Sequence, residues 1–172
     1  MDPSDKGCNF GITNRKPIKF VSNMHPLPQP PEELFYGAVR LQFVRISPGD
    51  ESRGYAPFYH YRIETLEKKE AGHINFRVGD SRHIRMYAGH IGYEVLEPFR
   101  GKRFAYQACL AIAPLVRMVY SEAIITCDPD NVGSMRTIER LGAAFLDEVP
   151  VAKEEAGYDR KPGRKRRYLW KP

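Results

Sequence analysis

Between Val39 and Ile46 apolar and polar residues alternate, with Val39, Leu41 and Phe43 on one face, a period of two that predicts a half-buried strand. Ser47-Pro48-Gly49-Asp50 ends it. A second strand is predicted near Phe58 to Leu66, and Glu67-Lys68-Lys69-Glu70 turns the chain. His73 to Val78 alternates again, with Ile74, Phe76 and Val78 toward a core, before the loop Gly79-Asp80-Ser81-Arg82. Gly89 to Val95 gives a fourth strand with Ile91, Tyr93 and Val95 inward. Strands following one another this closely predict an antiparallel meander.

The period then lengthens. From Gly101 to about Tyr120, Phe104, Ala108, Ala111, Leu115 and Val119 recur at spacings of three and four, which predicts a helix with one buried stripe. Pro114 lies inside it and removes one backbone hydrogen bond. A fifth strand, Ala123 to Cys127, leads to a short helix from Asn131 that closes at Gly142. Ala143 to Val149 and Arg166 to Trp170 read as a closing hairpin with a long charged loop. Residues 1–38 read as a proline-rich arm: Pro17, Pro26, Pro28, Pro30 and Pro31 forbid a continuous helix and leave room for one helical turn at Pro31 to Phe35. The expected fold class is α/β, a mixed and mostly antiparallel sheet flanked by helices, with the arm at 1–38 and one domain over 39–172. A chain of 172 residues is long enough for one proper core.

Charge changes this picture only at one end. The chain carries 27 basic and 21 acidic side chains, +6, but seven basic groups lie from Arg160 onward. Residues 1–159 therefore hold 20 basic against 21 acidic groups, a balance of −1. A nucleic-acid surface would have to rest on Arg160, Lys161, Arg164, Lys165, Arg166, Arg167 and Lys171 alone. No aromatic residues interleave with that run and no helical spacing organises it. The expectation is a solvated loop entering the last strand, and nucleic acid is not expected as a partner. Three cysteines, Cys8, Cys109 and Cys127, form no disulfide framework and no zinc-ligand spacing, so no metal is expected. Met1 to Asp5 shows no signal pattern and no apolar run approaches a membrane span, so the expectation is a cytoplasmic protein without a membrane partner.

Candidate chemistry concentrates between Ile91 and Gly142. Arg100-Gly101-Lys102-Arg103-Phe104-Ala105 joins a strand to a helix, and the first amides of a helix have no backbone partner, which makes an anion site. Arg100, Lys102 and Arg103 add positive charge there. About thirty residues on, a second strand ends in Cys127-Asp128-Pro129-Asp130-Asn131 and the helix carries Asn131 and Ser134 one turn apart. Asn131 is a helix-capping residue type at the helix start.

With this order and spacing, the sequence resembles the GNAT superfamily of acetyl-CoA-dependent N-acetyltransferases from about Val39 to the C-terminus. The family cradles the coenzyme A pyrophosphate in an Arg/Gln-x-x-Gly-x-Gly/Ala loop and follows the next strand with an Asn-x-x-Ser/Ala helix. Arg100 and Ala105 match the ends of that loop, while Arg103 stands at its central glycine. The expectation is that Arg103 needs no positive φ, because Gly101 already supplies the flexible point. The resemblance implies acetyl-CoA as cosubstrate, held by Arg100, Gly101, Lys102, Arg103, Phe104 and Ala105, by Asn131 and Ser134, and by the backbone edge at Glu94, Val95 and Leu96. It implies acetyl transfer to a primary amine by direct attack in a ternary complex. Many members place a tyrosine acid seven residues after the Asn, where this chain has Ile138; some use a serine three residues after it, which is Ser134. Glu94 is the first candidate for the general base, with His73, His90 and Asp128 behind it. Cys127 reads as a core thiol, since no adjacent histidine activates it.

Two departures matter for function. The family usually places two helices between its first and second strands, but Ser47 to Pro57 is too short and too rich in proline and glycine to hold them. Either the acceptor cleft is open, or the arm or a second subunit covers it, and a homodimer is one expectation. The alternative reading is a non-catalytic acyl-CoA-binding or regulatory module of the same fold. The amine acceptor itself is not legible.

Overall fold

The computed structural model describes residues 26–152 and 163–172. Cys8, most of the proline-rich arm, Arg160 and Lys161 lie outside the described residues. Eight strands form one sheet: β1 (Glu33–Tyr36), β2 (Val39–Ser47), β3 (Phe58–Thr65), β4 (Glu70–Arg77), β5 (Ile91–Val95), β6 (Ala123–Cys127), β7 (Ala144–Pro150) and β8 (Arg164–Trp170). Their order is β1-β2-β3-β4-β5-β6-β8-β7, antiparallel at every pairing except β5–β6. Among the described residues there are two α-helices: α1 (Phe104–Arg117) makes the β5–β6 crossover, and α2 (Val132–Arg140) follows β6. No helix among the described residues is long and apolar enough to cross a membrane.

The alternation seen in the sequence sorts the first five strands into an apolar and a polar face. Val39, Leu41, Tyr59, Tyr61, Ile63, Ile74, Phe76 and Ile91 are buried on the first. Against them α1 packs Ala108, Ala111, Ile112, Leu115 and Val116. Each large apolar side chain so buried contributes about 1.5–3 kcal/mol. The helix stripe is wider than the predicted one, taking in Cys109 and Ala113 as well, and α1 starts three residues later than Gly101. Alternation in β2 breaks at Phe43-Val44-Arg45, and there the β2–β3 register shifts: a bulge returns Ile46 to the apolar side opposite Tyr59.

Part of the presumed arm belongs to the sheet. Glu33–Tyr36 is a strand paired with β2 rather than a helical turn, because Leu34 faces Leu41 across a hairpin closed at Gly37. Ahead of it the chain crosses the apolar face: Leu27 is buried, and the Tyr59 and Tyr61 hydroxyls donate to the carbonyls of Pro28 and Pro31 at 3.0 and 2.7 Å. Proline supplies the fixed φ and free carbonyls of this extended run. A π-helical turn, Ile84–Ala88, fills the stretch between the predicted loop and the fourth strand, to which the sequence pattern assigned no element.

The polar face carries Arg40, Gln42, His60, Arg62, Glu64, His73, Asn75 and Glu94. Arg40 is buried and binds the carboxylates of Glu33 and Glu64 and the Gln42 Oε1. The 47–57 connection holds only a three-residue 3₁₀ turn, Glu51–Arg53, and an Asp50–Tyr55 bridge, so no helix covers this face among the described residues.

Gly72 is the tightest point in the β4–β5 ladder. Its φ is +147°, and a Cβ there would sit 2.0 Å from the Glu94 carbonyl oxygen, which the ladder holds in place. Gly72→Ala should therefore destabilise the fold by on the order of 3 kcal/mol, measured as a lowered denaturant midpoint with an unchanged m-value.

Candidate active-site cleft

β5 and β6 share a single residue pair, Ile91 with Ile125, and then diverge. The opening is a cleft of about 640 Å³ walled by β5, the loop after it, the start of α1 and one face of α2. On the other side of β5 the ladder to β4 continues: the Leu96 N–H donates to the Ala71 carbonyl at 2.9 Å, and the Glu94 carbonyl lies against Gly72. Backbone direction alternates along a strand, so the groups of Tyr93 and Val95 face the divergence. The Val95 carbonyl is taken by Arg100 Nε at 3.0 Å. Glu94 and Val95 line the cleft; Leu96 does not, and its N–H is already committed to β4.

The loop after β5 sets the start of α1. Gly101 has φ 76° and Arg103 has φ 62°, ψ 22°, both left-handed. The expectation that Arg103 avoids positive φ is thus corrected: the turn needs two left-handed residues in three, and one of them is an arginine. Its strain costs on the order of 1 kcal/mol. Helix begins directly after it, at Phe104, which is buried and packs edge-on against Phe99 at 5.5 Å. The first bond of the helix is Gln107 N–H to the Arg103 carbonyl, 3.0 Å. The amides of Phe104, Ala105 and Tyr106 consequently have no helical acceptor and form the positive end of α1 beside the cleft. Arg100, Gly101, Arg103, Phe104 and Ala105 all line it. Lys102 does not: its Nζ donates to the Pro98 carbonyl at 3.0 Å, over the Phe99 ring.

Facing this loop is α2. Asn131 caps it, its Oδ1 accepting from the Ser134 N–H at 3.0 Å, and both residues line the cleft. Ile138 is fully buried in the core. Sequence reading missed four further residues of this wall, Gly133, Arg136, Thr137 and Arg140. Their signal was present: Gly133 with Arg136 and Thr137, and these two with Arg140, stand at helical spacings of three and four, which puts them on one face. Arg103, Arg136 and Arg140 have no ion-pair partner among the described residues, and all three line the cleft into which α1 opens.

Of the candidate bases, Glu94 is exposed on the polar face of β5 and registers with His73 of β4. The His73 ring lies 5.5 Å from that of His60, whose Nδ1 meets Asn75 Oδ1 at 2.6 Å. Burial, then the neighbouring His60, holds His73 below its ordinary value, with Glu94 and Glu70 pulling the other way. His90 has a different place. It is buried, accepts from the Ile124 N–H through Nδ1 at 2.9 Å and packs on Tyr120, tying β5 to β6 outside the cleft. Asp128 pairs with Lys165 at 2.6 Å. Cys127 is buried, and burial followed by Asp128 pushes its thiol up to about 11, so it stays protonated.

The described basic residues at this end of the chain all have acidic partners. Arg164 and Arg166 pair with Glu148, Arg167 with Asp147, Lys165 with Asp128 and Lys171 with Glu122. These exposed pairs add little stability.

Arg103 gives a direct test of the loop. Glycine reaches the left-handed region at no steric cost and alanine does not, so Arg103→Gly should be more stable than Arg103→Ala by about 1 kcal/mol in chemical denaturation. Equal stabilities would mean that position 103 is not left-handed.

Comparison with known proteins places this cleft in a family. The acetyltransferase (GNAT) domain family matches residues 20–144. No curated protein matched the sequence. Among solved structures, the fold is similar to the microcin C7 self-immunity acetyltransferase MccE, in complex with acetyl-CoA and AMP, at TM-score 0.54 and 21% identity, over 67% of this chain and 61% of that one. It is similar to RimL, a ribosomal L7/L12 alpha-N-protein acetyltransferase, at TM-score 0.51 and 23% identity, over 69% and 71%. A GNAT-family acetyltransferase from Bacillus anthracis matches at TM-score 0.58 and 14% identity, over 80% and 96%. The chain thus spans less than two thirds of the length of MccE, and the structural likenesses describe the shared fold. With the family matched over most of its length and the β5–β6 divergence in place, this chain belongs to the GNAT acetyltransferase family.

Proposed function

We propose that the protein is an acetyl-CoA-dependent N-acetyltransferase that acts on a primary amine by direct attack in a ternary complex. The observation that carries this reading is a cleft lined by Arg103, Arg136 and Arg140, which have no ion-pair partner among the described residues, together with the start of α1, whose first amides have no helical acceptor. A phosphate-bearing ligand satisfies both sets at once. Asn131, Glu94 and Val95 line the same cleft and would flank the pantetheine arm. Bound there, the coenzyme supplies an acetyl thioester, and direct attack requires only that an amine reach it in neutral form.

The chain's own residues support that step from both sides of the sheet. Glu94 and His73 stand on the polar face and can take the proton that the ammonium group must lose. Ser134, on α2, can donate toward the leaving sulfur. Among the described residues no α-helix covers the polar face of β1–β5, which suits an acceptor presented on a larger molecule. The neighbours named for acetylating ribosomal protein amines make a protein N-terminus the first acceptor to test.

Gly101 has φ 76°, so any side chain there carries backbone strain on the order of 1 kcal/mol, but nothing lies within 4 Å of a Cβ position, so Asp adds a negative charge at the phosphate end without a contact clash. Calorimetry with acetyl-CoA should show saturable binding by the intact protein. Gly101→Asp should weaken it by at least about tenfold, or roughly 1.4 kcal/mol. Asn131→Ala should weaken it less and also lower the thermal midpoint through the lost cap. Absence of binding by the intact protein overturns the assignment.

A further inference from the structure

Tyr93 is a residue whose hydroxyl the fold does not use. It lies on β5 two positions beyond Ile91, the last residue paired with β6, and it lines the cleft. Its ring is packed against the core, and its Oη is closed off from solvent with no hydrogen-bond partner. The hydroxyls of Ser134 and Thr137 approach it from α2 without closing a bond. Thr137 already donates to the Gly133 carbonyl at 3.0 Å, so it offers the phenol at most an acceptor. A buried hydroxyl left unpaired costs stability, and phenylalanine would fill the same space without that cost. The Tyr168 hydroxyl is also buried without a geometric partner, but the Arg166 guanidinium lies beside it. Tyr93 has only the hydroxyl wall of the cleft.

The opposite wall sharpens the point. Ile138 on α2 is fully buried and apolar, so that helix presents no phenol to the cleft from position 138. Tyr93 brings one in from the strand, at the point where β5 leaves β6 and behind Ser134. Burial, first among its causes, raises the ionisation of this phenol above its ordinary value, so the proton stays on at neutral pH.

We infer that Tyr93 is a positioning residue: its hydroxyl, closed off from the cleft itself, lies behind Ser134 and orients the Ser134 hydroxyl that donates to the sulfur end of the cosubstrate. The inference rests on the coenzyme reading above. In the transfer, the amine nitrogen forms a bond to the thioester carbonyl carbon while the carbon–sulfur bond breaks and its electron pair goes to sulfur. The sulfur takes a proton from the Ser134 hydroxyl, which Tyr93 holds in place and backs with its own O–H. The proton lost by the amine passes through Glu94 and His73 to solvent, and solvent in the cleft reprotonates Ser134.

The test uses free CoA, whose thiol can be titrated in the bound state without any acceptor. With the intact protein and with Tyr93→Phe, CoA binding is measured by calorimetry, and thiolate formation in each complex is followed by ultraviolet absorbance against pH. Loss of the supporting hydroxyl should raise the apparent pKa of the bound thiol by about one unit, a tenfold change in its ionisation constant. CoA affinity at neutral pH should change by less than about threefold, since the phosphates dominate it. The thermal midpoint of Tyr93→Phe without ligand should hold or rise, because the variant removes an unpaired buried hydroxyl. With an acceptor in hand, kcat should fall by about ten- to a hundredfold with KM for acetyl-CoA nearly unchanged. Identical thiol titrations in both proteins would overturn the inference and leave the coenzyme site standing. So would a clear drop in the thermal midpoint, which would give the hydroxyl a structural role. If CoA does not bind the intact protein, the functional assignment itself fails.

Discussion

The structure turns on a ladder that is allowed to fail. β5 and β6 are the only parallel neighbours in the sheet, and a single residue pair joins them before they part. A continuous ladder there would satisfy the backbone of Tyr93 and Val95 but close the cleft. Instead β5 is held from its other side by β4, through Leu96 to Ala71 and the close contact at Gly72, and from below by His90 bonding to Ile124. The divergence is stable because its two banks are anchored independently, and open backbone and buried side chains can then face one ligand-sized space.

Charge is arranged around that space by the shape of one turn. Two left-handed residues, Gly101 and Arg103, reverse the chain quickly enough that α1 points its free amides at the cleft. Glycine at position 103 would relieve the turn; arginine keeps some strain and adds a cation on the same spot. Arg136 and Arg140 complete the arrangement from α2. Elsewhere on the molecule the basic groups of β8 are paired with β7 and its neighbours, whereas Arg103, Arg136 and Arg140 have no ion-pair partner among the described residues and line the cleft where an anion has a backbone site to enter. That distribution, rather than the net charge of +6, is what bears on function.

The two faces of the sheet divide the labour. The apolar face takes α1 and the proline segment that precedes β1, and its packing fixes β5 in place. The polar face of β1–β5, free of α-helices among the described residues, carries Glu94, His73 and His60 on neighbouring strands. Substrate amine and coenzyme would meet across β5, each arriving from its own side, with Tyr93 and Glu94 as consecutive residues pointing to opposite faces.

Much of this was legible in the chain. The period of two from Val39 to Val95 and the spacing of three and four after Gly101 fixed strands and helix, because side chains must alternate across a pleat and recur along a helix regardless of partners. The Asn131 cap and the Arg100–Ala105 loop were visible for the same local reason. What pattern could not supply was distance between elements. Glu33–Tyr36 became a strand only because β2 offered it an edge. Arg103 took positive φ because the turn geometry, not its own preference, demanded it. Tyr93 read simply as an inward residue, and Arg136 and Arg140 as a helix surface. Local sequence determines which way each side chain points on its own element; only the tertiary structure decides what it points at, because that depends on where β5 and β6 stop pairing.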